Sequence, residues 1–517
     1  MSTFDFIVLG AGSAGSVVAR RLAEKTDAKV LVLEAGGAEI PANSTNPSVW
    51  YTLLGSNIDW GYLSTPQPGL NGRRTYEPRG KVMGGTGQMH LMMHLRGHPW
   101  DYDNWQYNGC PGWGYEQMMP YFKKIENQED NTSPWAGHGG LLSVLNAGRH
   151  AHHPLSPLFI EACVELGYPY TEDFNGPEMS GTGWHHINVK KESDGSFTRS
   201  SPAVAYLGPA LGWPNVTLET NAQITRLLFD GRRERVIGVE YVQDKQIKQA
   251  FAELEVVSCL GALESPHLLL NSGIGPEAQL RQFGKPVIAN LPGVGENFHN
   301  HVLTGLIAET KEPVAPGRLN TSEAALFTSS SPGYQVPDLQ FNFVHLPFDV
   351  IVGASNPNSV SLIPGLQRPL SRGWIRLASA DPLERPLINP NYLAVDHDVQ
   401  RMKQMIQIGR EIFATKAFSQ ALTGRELMPG PNYGKSDSDL LRFVRDRCDS
   451  YHHQVGSCKM GQDEMAVVDP RLSVYGVEGL RVADASVMPA TVTGNIHTSV
   501  MAIGEKCADM VKQAHGL

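Results

Sequence analysis

The chain has 517 residues, 41% of them hydrophobic and 18% charged, with a formal net charge of −9. It exceeds what one hydrophobic core usually serves, so two domains that interleave are expected. Net negative charge without a Lys/Arg-rich block argues against nucleic acid as a partner, and no stretch approaches the roughly 20 continuous apolar residues of a membrane span.

The 53 glycines and 35 prolines are scattered among apolar runs, which marks tight turns rather than disorder. Cys110, Cys163, Cys259, Cys448, Cys458 and Cys507 form no metal-type or C-x-x-C spacing and read as reduced, mostly buried thiols, with no metal site expected. Sequence leaves open whether Cys448 and Cys458 pair. An apolar strand begins at Phe4 with no basic leader before it, so a cytoplasmic protein is expected and the sequons at Asn43 and Asn215 are read as chance.

The first element is the apolar run Phe6–Gly10. Gly10, Gly12 and Gly15 then form G-x-G-x-x-G, with Ser13 and Ala14 between the last two. A segment with helical spacing follows, and a second apolar strand ends in Glu34. Gly10 permits the tight turn, Gly12 lets backbone approach a pyrophosphate, and Gly15 allows close helix–strand packing. The helix start offers N–H donors to phosphate, and Glu34 is placed to accept hydrogen bonds from an adenosine ribose. A bound dinucleotide is therefore expected, in an α/β fold; the motif alone does not separate NAD from FAD.

Five later blocks bear on that choice: residues 80–105, 261–275 (GALESPHLLLNSGIG), 291–301 (LPGVGENFHNH), 451–461 (YHHQVGSCKMG) and 479–510. In this order they resemble the glucose–methanol–choline (GMC) oxidoreductases over nearly the whole chain. The resemblance implies FAD as cofactor, bound by a Rossmann-like domain, with an interleaved substrate domain built on an antiparallel sheet. The FAD domain is expected to take residues 1–155, 200–305 and 460–517, and the substrate domain 156–199 and 306–459. Within the latter, 338–346 and 373–382 read as strands of the antiparallel sheet.

The resemblance also assigns residues. Gly84 and Gly85 carry no side chain, so backbone can lie against a flat ring, which by resemblance is the isoalloxazine. Gln223 and Ile224 match the stretch around adenine. Asp484 and Ala485 stand before a turn where the carboxylate can accept ribityl or backbone hydrogen bonds, or simply cap the next helical turn. His453 stands where the family places its catalytic base, and His452 is expected to face the other way in an extended segment. The second active-site position falls on His497, with Asn495 as the alternative and as a cofactor contact.

Residues 84–90 depart from the family pattern. His90 replaces an Asn and is expected to touch the flavin ring, while His94 stands where an aromatic residue is common. Met89 stands where members with covalent flavin carry histidine, so noncovalent FAD is expected. Met89, Met92, Met93, Val455 and Val500 are expected to line the cavity, the methionine stripe being equally compatible with core. Asp338, Gln340 or Asn342 would add polarity.

These assignments imply oxidation of an uncharged, mostly apolar primary alcohol to an aldehyde, with O2 or a quinone-type acceptor taking the electrons. Two rival readings are a lyase of the same family whose flavin does no redox work, and a non-catalytic FAD-binding protein. An intact His453/His497 pair argues against the second.

Overall fold

The computed structural model describes residues 3–347 and 356–517. Two sheets organise them. The strand Thr3–Leu9 ends in Phe6, Ile7, Val8 and Leu9, all fully buried, as befits a central strand covered on both faces. It pairs in parallel with Val30–Leu33 on one side and with Gln246–Ser258 on the other. Val216–Glu219 extends the sheet in parallel beyond Val30–Leu33. The 13-residue strand Gln246–Ser258 forks: its first half pairs antiparallel with Val236–Gln243, and its last residues pair in parallel with Leu480–Val482. The fork carries the C-terminal part of the chain to the loop that follows Leu9.

The helix Ser13–Ala23 packs against the last helix, His497–His515. Gly504 permits this: a Cβ there would lie 3.0 Å from Ala14 O. His497, at the N-terminus of the last helix, lines the same cavity as Gly10, Gly12 and Ser13.

The second sheet is antiparallel throughout. Its order is Leu422–Met428, Leu306–Thr310, Ser359–Leu366, Leu339–Val344, Ala324–Thr328 and Gly181–Trp184. Val302–Leu303 adds to the end of Ser359–Leu366 and in turn pairs with Asp449–Ser450, which leads directly into Tyr451 and His453.

One expected strand lies elsewhere. Trp374–Arg376 does not enter this sheet but pairs with Leu387–Asn389. Ile375 donates its N–H to Gly295 O at 2.7 Å and is buried in the core of the nucleotide domain. The run was short and apolar enough for a strand, but its partner was set by packing against Gly295, where a Cβ would lie 2.2 Å from Ile375 O. All six cysteines are free and buried, Cys448 and Cys458 included. No helix among the described residues is long and apolar enough to cross a membrane.

Candidate active site

Two glycine segments meet backbone to backbone. Gly10 takes φ 88°, and a Cβ on Gly15 would lie 1.9 Å from Gly10 O. Gly85, at φ 53°, sits so close that its Cβ would lie 2.8 Å from Gly12 Cα. Gly84 N–H donates to Ala11 O at 2.7 Å. An elongated cavity runs along this seam from Gly10, Gly12, Ser13, Ala14 and Glu34 to His453 and His497. Gly12 caps the first helix without a side chain, and the first helical turn holds no acidic residue, so its N–H groups and positive end face the cavity unopposed.

Glu34 accepts the N–H groups of Ala11 (2.9 Å) and Gly36 (2.8 Å) and borders the cavity, with burial pushing its carboxyl up to about 7. Gln223 and Ile224 line the same end. Asp484 lines the middle. One oxygen accepts from Gly261 N–H (2.8 Å) and Ser265 Oγ (2.6 Å), and the other from Ser486 N–H (2.8 Å). It therefore ties the loop holding Ala485, also a lining residue, to the start of the helix Gly261–Asn271. The glycine seam, the uncapped helix and two buried ring nitrogens without partners among the described residues, His90 Nε2 and His497 Nε2, fit an FAD laid along the cavity.

At the far end His453 is held on three sides. Its backbone N–H donates to Asn300 Oδ1 at 2.8 Å, and its Nδ1 lies 2.9 Å from His301 Nδ1. Its Nε2 receives Asn495 Nδ2 at 3.1 Å. Burial, with His301, His452 and Arg79 adding to it, holds His453 well below the usual imidazole value. His497 stacks on His90 with ring centroids 4.1 Å apart, and Asn188 Nδ2 donates to His497 Nδ1 at 3.3 Å. Burial pushes His497 down to about 3. Both rings are therefore neutral near pH 7.

Gln340 donates to Asn342 Oδ1 (3.1 Å) and Asn495 Oδ1 (3.4 Å), and Tyr451 Oη donates to Gln340 Oε1 (3.2 Å). Asn342 Nδ2 donates to Tyr451 Oη. Leu303, Val344, Ile363 and Tyr451 pack together as one cluster on the cavity, which Asn342, Met89, Met93 and Val500 also line.

Several expectations change here. Met92 is buried in a separate core cluster with Trp50 and Leu145, and Val455 is fully buried in a bridge to His299. Neither borders the cavity. Asp338 accepts from Ser330 N–H and Oγ, both at 2.6 Å, away from the cavity. His452 takes φ 65°, which breaks the alternation of an extended segment and leaves Tyr451, His452 and His453 all on the cavity wall. Tyr451 and His301 were missed as site residues although both stand in the quoted blocks; adjacency to His453 was the available signal for Tyr451. Asn188 carries no local signal at all.

Models of the GMC oxidoreductase family match residues 4–303 and 369–504. The chain is 37% identical to mitochondrial choline dehydrogenase of Mus musculus over 545 residues, covering 98% of this chain and 89% of that protein. It is 38% identical to oxygen-dependent choline dehydrogenase of Citrobacter koseri, covering 98% and 95%. Pyridoxine 4-oxidase from Mesorbium loti shares the fold with a TM-score of 0.92 at 32% identity, with 99% of each chain covered. With both halves matched and the cofactor cavity in place, the chain belongs to the GMC oxidoreductase family of FAD-dependent enzymes acting on CH–OH groups.

Proposed function

We propose that this protein oxidises a primary alcohol to an aldehyde, with His453 as general base and O2 or a quinone-type compound as final acceptor. FAD, when bound, supplies the hydride acceptor. An alcohol carbon that loses hydride must also lose its hydroxyl proton, or the product is a protonated carbonyl. The proton passes to His453 Nε2. That atom carries a lone pair because its neighbour Asn495 Nδ2 can only donate, and the ring proton then sits on Nδ1, facing His301. Burial that keeps the imidazole unprotonated at rest makes the lone pair available at neutral pH. His497 and Asn495 bracket the position of the alcohol oxygen and orient the α C–H.

The observation carrying this reading is that two buried neutral histidines share the end of the FAD cavity and present one ring nitrogen each to it. Choline is the substrate named for the two dehydrogenases above, yet the lining carries an aliphatic stretch of Leu303, Val344, Ile363 and Val500, so an uncharged alcohol is favoured. Anaerobic addition of alcohol is the test. Bleaching of the flavin absorbance supports oxidation, whereas a chain that stays yellow with every alcohol tried is not an alcohol oxidoreductase.

A further inference from the structure

Behind His497 stands a buried polar chain that the proposed reaction does not itself require. Glu126, fully buried, accepts from Arg96 Nε at 2.7 Å and faces His94 Nε2 at 2.8 Å. Burial alone would push this carboxyl up, but Arg96 and His94 outweigh it and hold it well below the usual carboxylate range. His94 Nδ1 lies 2.7 Å from Asn188 Oδ1, and Asn188 Nδ2 reaches His497 Nδ1 at 3.3 Å. The backbone of Asn188 is pinned on both sides: its N–H donates to Met92 O (2.7 Å) and its O accepts from Ser200 N–H (2.9 Å).

We infer that Asn188, oriented by His94 and the Glu126–Arg96 pair, is a positioning residue that fixes His497 in the tautomer with its proton on Nε2, so that His497 presents a donor to the alcohol oxygen. The argument is one of valence. Carboxylate Glu126 only accepts, so His94 Nε2 carries a proton. The 2.7 Å contact of His94 Nδ1 with the amide oxygen requires a proton on Nδ1 as well, so His94 stands as the imidazolium paired with carboxylate Glu126, and this holds the amide with its nitrogen towards His497. An amide nitrogen only donates, so His497 Nδ1 is the acceptor and the proton of the neutral ring sits on Nε2. That Nε2 is buried, without a partner among the described residues, and borders the cavity. The charged and titratable groups around His497 are His90, His94 and Arg199, none of them an anion that would hold a second proton on the ring. The two site histidines thus hold opposite tautomers: Asn495 leaves His453 Nε2 a lone pair, and Asn188 leaves His497 Nε2 a proton. This rests on the proposed reading for its role in catalysis, but the tautomer itself does not.

The test is 15N NMR of holoprotein labelled at histidine, with the His497 signals assigned by their loss in His497→Gln. Nε2 is expected protonated and Nδ1 unprotonated; a His497 protonated on Nδ1 overturns the inference. That measurement needs no change at Asn188. In Asn188→Asp the carboxylate only accepts, so His497 Nδ1 must become the donor and Nε2 keeps a proton only as imidazolium. Anaerobic flavin reduction by benzyl alcohol in this variant is expected to fall about tenfold or more as pH rises from about 6 to about 9, a decline absent from the wild type. Equal pH profiles in the two proteins overturn the inference. If no alcohol reduces the wild-type flavin, the functional reading fails while the NMR result still stands by itself.

Discussion

His453 and His301 face each other Nδ1 to Nδ1 across 2.9 Å, so one nitrogen donates and the other accepts. His301 Nε2 in turn lies 3.0 Å from Thr491 Oγ1. With Asn495 donating to His453 Nε2, the proton lies on His453 Nδ1 and His301 is the acceptor. When Nε2 takes the hydroxyl proton, the charge is met by an imidazole lone pair rather than by a carboxylate. His453→Ala is therefore expected to keep FAD bound but to lower the rate of flavin reduction by about 10²-fold or more. Stopped-flow reduction under anaerobic conditions reads this directly, and a near-normal rate in the variant removes His453 from the role.

Acid stability follows from the same burial. It pushes His301, His452 and His497 down to about 3 and His185 to about 4, and holds His90, His299, His345 and His453 well below the usual value. Unfolded, each would bind a proton near pH 6.5. Between about pH 6.5 and 4 the unfolded chain therefore holds more protons, and stability falls as pH falls, by up to about 1.4 kcal/mol per histidine per pH unit. Glu34 and Glu323, both raised to about 7 by burial, act in the opposite sense over part of this window but are outnumbered. Urea midpoints of the holoprotein are expected to drop steeply from pH 7 to 5. A flat profile contradicts the neutral, buried state of these rings.

Much of this was legible because it is local. The turn after Leu9, the glycines that meet at Gly12 and Gly85, and the blocks around His453 and His497 are each written in a few consecutive residues. What was not legible depends on partners distant in sequence. A short apolar run such as Trp374–Arg376 satisfies its backbone in either sheet, and only packing against Gly295 decides between them. Met92 and Val455 are apolar residues beside site residues, and nothing in their neighbours says which face meets the cavity. Asn188 acquires a role only because its loop is hydrogen-bonded to Met92 O, close to His90 and His94.

Noncovalent attachment of the flavin is expected from Met89. This residue is buried against the cavity, and a thioether has no proton to lose on bonding, so a link to the flavin ring through it would leave a buried sulfonium. His90, the next residue, stacks on His497 and takes Met92 N–H on its Nδ1 at 3.1 Å. Denaturation with acid or heat is expected to release free FAD into the supernatant. A yellow pellet, or a protein mass raised by one FAD, would show a covalent link.

Substrate choice depends on which carboxylates the cavity offers. A quaternary ammonium substrate needs an anion or an aromatic cage, and a sugar needs several unsatisfied hydrogen-bonding groups. Glu34 and Asp484 are engaged by backbone N–H groups, and Glu264 by Tyr62 Oη at 2.5 Å and His267 Nδ1 at 2.9 Å. Asp449 also borders the cavity; burial pushes its carboxyl up, and Arg73 stands 3.9 Å away. Near His453 the amides of Gln340 and Asn342 are committed to each other and to Tyr451 and Asn495. Besides the rings of Trp50, Trp60, Tyr62, Tyr76 and Tyr451, what remains on the lining is aliphatic or thioether: Met89, Met93, Leu303, Val344, Ile363 and Val500. An uncharged aryl or medium-chain alcohol is therefore expected to be used with higher kcat/KM than choline or glucose. Benzyl alcohol, hexanol, choline and glucose compared under one acceptor decide the matter. Choline ahead by tenfold, with that lead lost in Asp449→Asn, would instead make Asp449 the ammonium contact and the apolar reading wrong.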